Sequence, residues 1–331
     1  MAMAVAVPFP SIQPAGYEWL DDEPQFDSGA HLQLEKPDRV LTLADIGYSE
    51  AEIATKATAT AATDPFRILS DEGAQTLLDV ARRLRPFARS AGDRIQSMLR
   101  GGCYRSRWLR DLCTSPEVTE HLSAIYGIAI APHAMPVHLG HINFEPDSLD
   151  QAIDKWHHDT LPLDFVLMVT DPAAIDGGRF EYFLGTKHEA AELAARGETP
   201  PPERTVAPEF PGAGYAIALH GDMVVHRASP LRSLQERISM VNGYVALDTS
   251  VDEQSRSADL ITLDDPEVLY TEWAKMAAWR SAGRLQTVVD DLPFTGDKDE
   301  VIERLEAAIE DTQRAIADMR AGERSMEHYG G

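Results

Sequence analysis

The spacing of hydrophobic and polar positions differs between three parts of the chain. In residues 70–84 the apolar side chains recur at helical spacing behind a serine and two acidic residues, which predicts a capped amphipathic helix. From residue 129 to about 248, short apolar runs separated by turn residues predict strands. After residue 248 the pattern returns to helical spacing, and a long charged helix is expected at 297–321.

The same pattern predicts the individual elements. Before residue 129 we expect helical structure at 41–61, 89–99, 106–112 and 115–127, and a short strand at 65–69. The candidate strands of the middle part are 135–144, 155–162, 164–169, 179–184, 215–219, 223–228 and 237–247. A proline-rich excursion at 185–214 interrupts them, and it fits a lid over a pocket as well as it fits an inert surface segment.

No clear linker separates the three parts, so we expect one domain overall. Its divisions are an N-terminal arm with helices at 1–128, a β core at 129–248 and C-terminal helices at 249–331. The pattern leaves the oligomeric state open, because the amphipathic C-terminal helix could pack on the β core or on a second subunit.

Composition narrows the class of partner. The 331 residues include 30 basic and 54 acidic side chains, for a formal net charge of −24. Such a surface repels nucleic acid and anionic membranes, so we expect a small-molecule partner and neither of these. No apolar run is long enough to cross a bilayer, and the N-terminus lacks the basic region of a secretion signal. The two cysteines form no CxxC pattern, so the cytoplasm is the expected compartment.

The strongest chemical signal is the stretch around His157 and Asp159. Residues two apart on a strand point to the same face, so these two side chains should project together. A histidine and a carboxylate side by side are two of the three ligands in the 2-His-1-carboxylate site of non-haem iron. His226, at the end of a later candidate strand, fits as the third ligand. We therefore predict a metal centre at these three residues.

A second pair, Arg237 and Ser239, lies on the following candidate strand, which a turn-like segment would lead back past the metal. Three protein ligands leave three positions on iron, of which a 2-oxo acid can occupy two and O2 the last. The far carboxylate of 2-oxoglutarate then needs a fixed cation, and the planar guanidinium of arginine supplies one. Arg237 and Ser239 are therefore the expected cosubstrate residues.

Together these residues resemble the motif set of the Fe(II)/2-oxoglutarate-dependent dioxygenases. The motifs are His157-x-Asp159, His226 and Arg237-x-Ser239. The glycine-containing stretches 177–188 and 221–222 are similar to those of the phytanoyl-CoA hydroxylase-like branch, and the resemblance covers about 130–248. It implies an α+β fold with a double-stranded β-helix, which is a jelly-roll or cupin-like barrel, the metal at one mouth and helices outside.

The resemblance also implies an activity. Members of this family use Fe(II) and O2 to couple the decarboxylation of 2-oxoglutarate, to succinate and CO2, with the oxidation of a substrate C–H bond. Halogenases of this kind have a small residue in place of the carboxylate ligand, so Asp159 disfavours halogenation. Hydroxylation of an amino acid or a specialised metabolite is the expected outcome, and desaturation, cyclisation and epimerisation stay open.

Two other functional classes remain open. A cupin-like divalent-metal hydrolase or isomerase would use the same three ligands to activate a metal-bound water, but it would give Arg237 and Ser239 no task. A non-catalytic relative would use the barrel only to bind a ligand or partner, which the intact ligand set disfavours.

Substrate contacts are expected from His141, Asn143 and Arg179. His141 and Asn143 share one face of the candidate strand before the metal motif, and Arg179 could bind a substrate carboxylate. On a regular strand His138 and His141 would face opposite sides, so only one of the two should line the pocket. A core or surface histidine is an equally good interpretation of either.

Overall fold

The structure is a computed structural model that describes residues 6–92, 94–149, 153–322 and 328–329. Its α-helices are α1 (Ser28–His31), α2 (Glu50–Ile53), α3 (Asp71–Leu84), α4 (Arg107–Cys113), α5 (Pro116–Tyr126), α6 (Lys187–Ala195), α7 (Pro266–Asp291) and α8 (Lys298–Ala321). Its strands are β1 (Val40–Thr42), β2 (Thr60–Thr63), β3 (Phe66–Arg67), β4 (Arg89–Ala91), β5 (Ile95–Leu99), β6 (Ile130–Pro132), β7 (His141–Asn143), β8 (Asp154–His157), β9 (Leu163–Met168), β10 (Phe180–Phe183), β11 (Thr205–Val206), β12 (Tyr215–Leu219), β13 (His226–Ala228) and β14 (Ser239–Ala246).

Eight consecutive strands, β7 to β14, form a jelly roll. One layer has the order β12-β9-β14-β7 and the other has the order β8-β13-β10-β11, and all of these pairs are antiparallel. If β7 is counted as strand 1 of the barrel, the strand order is 6-3-8-1 in the first layer and 2-7-4-5 in the second layer. This interleaving is the double Greek key of a jelly roll. The predicted double-stranded β-helix with flanking helices is therefore confirmed.

Strand β9 shows how one strand serves both the barrel interior and the outer core. Phe165 and Leu167 pack in the cluster that includes the apolar faces of α3, α4 and α5. Val166 and Met168 alternate with them and pack in the interior cluster with side chains of β10 and β12. A strand that is buried on both faces reads as a continuous apolar run, as residues 163–169 nearly do. The helices of the N-terminal part thus cover the outside of one layer.

The segment 89–99, predicted as a helix, is instead the hairpin of β4 and β5, so that prediction was wrong. Strand β5 pairs with β7 at Met98 and Asn143, and with β8 at Ile95 and Asp154. A weak helical pattern was outweighed by pairing with two barrel strands and by burial of the apolar side chains. Strand β5 therefore connects the two layers along one edge of the barrel.

Three other expectations differ from the structure. Residues 41–61 form the end of β1, a 3-10 turn, the short helix α2 and the start of β2, and not one continuous helix. Residues 135–144 form a 3-10 turn and then β7, because Pro136 opens the turn and Gly140 adopts a φ of +60°. The excursion 185–214 contains β11, the fifth strand of the jelly roll, which pairs with β10.

Helices α7 and α8 form an antiparallel pair outside the barrel. Leu269 and Trp273 of α7 pack with barrel and loop residues in a second apolar cluster. Between the helices, Arg280 donates from Nε to Asp311 at 3.0 Å, and both side chains are buried. Among the described helices, none is both long enough and apolar enough to cross a membrane.

Candidate metal centre and its cavity

The three predicted metal ligands converge in the barrel. His157 ends β8 and His226 begins β13, and the two residues lie directly opposite each other in the antiparallel pair. Asp159 follows β8, where its backbone N–H donates to the carbonyl of Gly221 at 2.8 Å. Nε2 of His157 lies 3.3 Å from Asp159 Oδ1, and Nε2 of His226 lies 3.4 Å from Asp159 Oδ2. One ligand atom from each lies within 4.8 Å of the others, so the three could hold one metal ion.

Backbone carbonyls set the tautomer of both histidines. Nδ1 of His157 is bonded to the carbonyl of Lys155 at 2.6 Å, and Nδ1 of His226 to that of Val224 at 2.9 Å. A carbonyl only accepts, so Nδ1 carries the proton and Nε2 keeps its lone pair in each neutral ring. A metal-bound histidine is usually held through its other nitrogen in this way. Both rings are therefore oriented as ligands.

The charges of the cluster also suit a divalent metal ion. Burial lowers the pKa of His226 to about 4 against the opposing effect of Asp159, so the ring is neutral at pH 7. Burial acts to raise the pKa of Asp159, but His226 and His157 outweigh it and the pKa is lowered. Oδ2 of Asp159 is buried and has no hydrogen-bond partner among the described residues. Two imidazoles whose Nε2 atoms face the carboxylate, and one carboxylate with an unsatisfied oxygen, form a fitting donor set.

Gly221 makes the position of Asp159 possible. A Cβ atom on Gly221 would lie 2.3 Å from Asp164 Oδ2 and 2.9 Å from the Cβ of Asp159. Asp164 is fully buried, and burial followed by the charge of Asp159 raises the pKa of Asp164 well above its usual range. A neutral carboxyl group and a glycine thus pack behind the candidate ligand, where a larger residue at 221 would displace it.

Asp154 and Arg94 lie behind His157. Oδ1 of Asp154 is 3.3 Å from Nδ1 of His157 and accepts from Nε of Arg94 at 3.0 Å. Both side chains are only 7% exposed. Asp154 thus connects the candidate ligand His157 to Arg94, the residue that precedes β5. Such supporting contacts orient a metal ligand and increase its basicity.

Arg237 and Ser239 line the same cavity as the three candidate ligands. Arg237 is 2% exposed, and it donates from Nε to the carbonyl of Gly178 at 3.1 Å and from Nη1 to Oγ of Ser239 at 2.7 Å. No acidic side chain forms an ion pair with it in the part of the chain that the structure describes. Burial lowers the pKa of Arg237 to about 10, so the group stays charged at neutral pH. A buried cation without a direct ion-pair partner among the described residues favours an anionic ligand.

The structure places two of the three expected substrate residues in the cavity. Asn143 pairs with Ser239 across the strands, and His141 lies two residues before it; both line the cavity. Asn143 Oδ1 and His141 Nε2 are buried without a partner among the described residues. Arg179 is exposed and borders a neighbouring surface groove instead. The pleat explains this, because the next residue, Phe180, lines the cavity and Arg179 faces the other way.

Several cavity residues could not be found by reasoning from local sequence. They are Arg94, Arg100, Leu260 and Leu263. The arginines flank a strand that was expected to be a helix, and the leucines come from the segment after the barrel. His138 and His141 both line the cavity, because the break in the chain between them removes the strict alternation of a strand.

No protein-family profile and no curated protein matches the chain. Among solved structures, it is similar to the non-haem α-ketoglutarate-dependent carbocyclase SnoK from nogalamycin biosynthesis, with 18% identity, 65% of this chain and 88% of that chain covered, and a TM-score of 0.43. It is also similar to EctD from S. alaskensis with 2-oxoglutarate and 5-hydroxyectoine. The identity is 16%, the match covers 80% of this chain and 94% of that chain, and the TM-score is 0.42. For EvdO2 from Micromonospora carbonacea var. aurantiaca complexed with 2-oxoglutarate, the identity is 16%, the coverage 71% and 98%, and the TM-score 0.41. The phytanoyl-CoA hydroxylase-like branch stays a prediction.

Proposed function

We propose that this chain is a non-haem Fe(II), 2-oxoglutarate-dependent oxygenase that oxidises a small molecule, such as an amino acid or a specialised metabolite. One observation carries the proposal. A single cavity joins a cluster of two histidines and one carboxylate to a buried arginine that has no ion pair among the described residues. Hydroxylation is the expected outcome, and desaturation or cyclisation would need the same residues.

The three candidate ligands suit Fe(II) in particular. His157, Asp159 and His226 offer two neutral nitrogens and one carboxylate, the donor set of the facial triad that leaves open positions on iron. When bound, Fe(II) together with O2 and 2-oxoglutarate supplies the oxidation of a C–H bond, and succinate and CO2 are released. Backbone carbonyls hold both histidine rings through their Nδ1–H groups. Asp159 supplies the one negative charge of the ligand set, so a bound divalent ion keeps a net positive charge that attracts an anionic cosubstrate.

Arg237 and Ser239 are assigned to the far carboxylate of 2-oxoglutarate. The bonds of Arg237 within the described chain use Nε and Nη1, which leaves the donors of Nη2 for a ligand. The bond from Nη1 to the hydroxyl of Ser239 places a second polar group beside the guanidinium. Because the site is buried, a charge-assisted hydrogen bond to a carboxylate is stronger there than in water.

The two other functional classes explain less of the geometry. A divalent-metal hydrolase or isomerase would use the same ligands but would leave Arg237 without an anionic partner. A non-catalytic binding protein would leave the three-ligand cluster without a task. The oxygenase is the interpretation that uses both features.

Anaerobic visible spectroscopy tests the proposal. Metal-free protein is titrated with Fe(II) and then with 2-oxoglutarate, and a weak metal-to-ligand charge-transfer band in the green is expected. Asp159→Ala and Arg237→Ala should lack the band at matched concentrations. Arg179→Ala is the matched control, because this arginine is exposed and lies outside the cavity, and it should keep the band.

Each alternative predicts a different result in the same experiment. Stoichiometric metal binding without a band would favour the hydrolase or isomerase. No metal binding at all would rule out the three-residue centre. A band that Arg237→Ala retains at unchanged 2-oxoglutarate affinity would show that the cosubstrate carboxylate binds elsewhere.

A further inference from the structure

Arg100 is one of the arginines that line the cavity, and it lies at a distance from the cosubstrate residues. Along β14, a Cβ on Gly243 would lie 3.5 Å from the carbonyl oxygen of His138. Gly243 is four residues beyond Ser239, and a strand rises about 3.3 Å per residue, so the two positions are roughly 13 Å apart. Arg100 contacts His138, and both side chains line the cavity. The cavity therefore has two ends, each with a buried arginine.

Hydrogen bonding fixes the tautomer of His138. Nη2 of Arg100 lies 3.2 Å from Nδ1 of His138. A guanidinium has no acceptor, so Nδ1 accepts and the neutral ring carries its proton on Nε2. Nε2 is buried and has no partner among the described residues. Burial, followed by the neighbouring His133 and Arg100, lowers the pKa of His138 well below its usual value, which keeps the ring neutral.

Arg100 has donors left for a ligand. Its bonds within the described chain use Nε and Nη2, which reach Asp264 at 2.7 and 2.8 Å and His138 at 3.2 Å. The two N–H groups of Nη1 make no further bond within those residues. An arginine and a neutral histidine thus present only donors at this end of the cavity, which is the complement of an oxyanion.

Asp264 does not use all the donors of Arg100. Its fully buried carboxylate accepts from Nε and Nη2 of Arg100, and it also accepts from Nη2 of Arg89 at 3.1 Å. Arg89 is 44% exposed and does not line the cavity, so it adds no buried charge there. If Arg100 only anchored the segment around Asp264, the unused donors of its Nη1 and the unpaired Nε2 of His138 would not be explained.

Apolar side chains share the cavity with the two donors. Met98, Leu260 and Leu263 line the same cavity. Leu260 packs in one cluster with Val137, and Leu263 packs against Met98 in another. A ligand of this end should therefore combine an anionic group with a hydrocarbon body.

His141 lies between the two ends of the cavity. It pairs with Val241 of β14, which is midway between Ser239 and Gly243. Its side chain lines the same cavity as Arg100 and the candidate metal ligands. A molecule held at Arg100 would extend past His141 toward the metal centre.

We propose that Arg100 and His138 form a subsite for the carboxylate of the primary substrate, a small carboxylic acid whose apolar body lies against Met98, Leu260 and Leu263. This inference rests on the proposed function only in assigning the Arg237 end to the cosubstrate. The subsite fixes the acid group at one end of the substrate and leaves the rest within reach of the metal centre.

Matched acids and amides test the subsite. Zn(II)-loaded protein with saturating 2-oxoglutarate is titrated with a panel of small aliphatic, aromatic and amino acids, each paired with its primary amide, and affinities are measured by ligand-observed NMR. At least one acid should bind about tenfold or more tightly than its amide, since a buried charge-assisted hydrogen bond contributes about 1.5–3 kcal/mol.

Variants test whether the preference for an acid over its amide arises at Arg100 and His138. Arg100→Met combined with Asp264→Asn removes both charges of the pair, so no isolated buried carboxylate is left, and the ratio of acid to amide affinity should fall to about one. His138→Phe keeps a ring but removes the Nε2–H donor, and it should reduce the ratio by a smaller factor. Arg82→Met, at an arginine whose side chain is 50% exposed, is the control and should keep the wild-type ratio.

Two results would overturn the subsite: no acid in the panel preferred over its amide, or an undiminished preference in the double variant. The same titrations without 2-oxoglutarate separate this inference from the proposed function. If 2-oxoglutarate does not bind but the preference for acids still depends on Arg100, the proposed function fails and the subsite stands. If 2-oxoglutarate binds at Arg237 and the preference is absent, the subsite alone fails.

Discussion

The two ends of the cavity are constructed differently. The first end has the candidate ligands, Arg237 and Ser239. It is built on barrel strands β8, β13 and β14, on the loop directly after β8 and on the residues just before β14. The end with Arg100 and His138 is assembled from the segment after β5, the turn before β7 and the segment 257–264 after the barrel. Backbone hydrogen bonds between strands fix the residue positions at the first end, whereas side-chain contacts fix them at the second end.

This difference has a functional meaning. Antiparallel pairing fixes the direction of every second side chain, so the positions of His157, His226 and Ser239 are maintained as long as the barrel forms. Segments outside the ladder can change sequence without disturbing it, which is how one fold accepts different substrates. The first end should therefore tolerate substitution least.

The largest effect is expected from removing a ligand. Asp159→Ala or His226→Ala should lower metal affinity by more than about 100-fold, because the loss of a supporting contact alone costs roughly 10–100-fold. Calorimetric titration with a divalent metal measures this. His188→Ala should leave the affinity unchanged, because that side chain is 67% exposed. Tight binding by both ligand variants would contradict the metal centre and remove the basis for comparing the two ends.

Arg237→Met should separate the two ends. The buried guanidinium makes charge-assisted hydrogen bonds, so the affinity for 2-oxoglutarate should fall by about 100-fold while metal affinity changes by less than about threefold. The spectroscopic titration measures both quantities. The acid-over-amide ratio at Arg100 should not change, and a parallel loss of that ratio would show that the ends do not act separately.

Asp154→Asn should sharpen the comparison, since Asp154 connects a barrel ligand to the residue before β5. Metal affinity should fall by about tenfold, because His157 loses a supporting carboxylate. The free energy of unfolding should fall by about 3 kcal/mol, because Arg94 loses a buried ionic partner. Denaturant titration of the metal-free protein measures the second quantity. Wild-type values for both would mean that β5 does not support the metal centre.

Acidification should destabilise the fold through buried neutral histidines, of which the second end has His133, His138 and His141 and the first end has His226. Burial lowers the pKa of His133, whose ring contacts His138, to about 3, and that of His141 to about 4, from the ordinary 6.5. Between about pH 4 and 6.5 the unfolded chain therefore binds more protons than the folded chain, and stability should fall as the pH falls through this window. The expected change is about 1.4 kcal/mol per pH unit for each histidine.

Unfolding free energies at pH 7, 6 and 5 check this expectation, and His133→Gln should reduce the slope by about one proton. Hydrogen exchange shows which segments lose their structure first on acidification. The segments 133–141 and 257–264 should lose protection before the strands that carry the candidate ligands. Equal loss throughout the barrel would contradict the difference between the two ends.

The sequence by itself determined the barrel and its metal motif. The two-residue period of a strand, which is a property of the local backbone, predicted that His157 would project with Asp159 and Arg237 with Ser239. In the structure Asp159 follows β8 and Arg237 precedes β14, and all four residues line one cavity. Interruption by turn residues marked most barrel strands. These features need no knowledge of which segments meet in space.

The tertiary structure alone decided the rest. Strand β5 has a weak helical pattern and becomes a strand because β7 and β8 offer it partners. Arg100, His138 and Asp264 are separated by up to 164 residues in the chain, and they meet only when the segment after the barrel packs back onto it. Local periodicity reports the face of an element but not its neighbours, because those depend on long-range packing free energy. The end of the cavity that we assign to the substrate was therefore visible only in the folded chain.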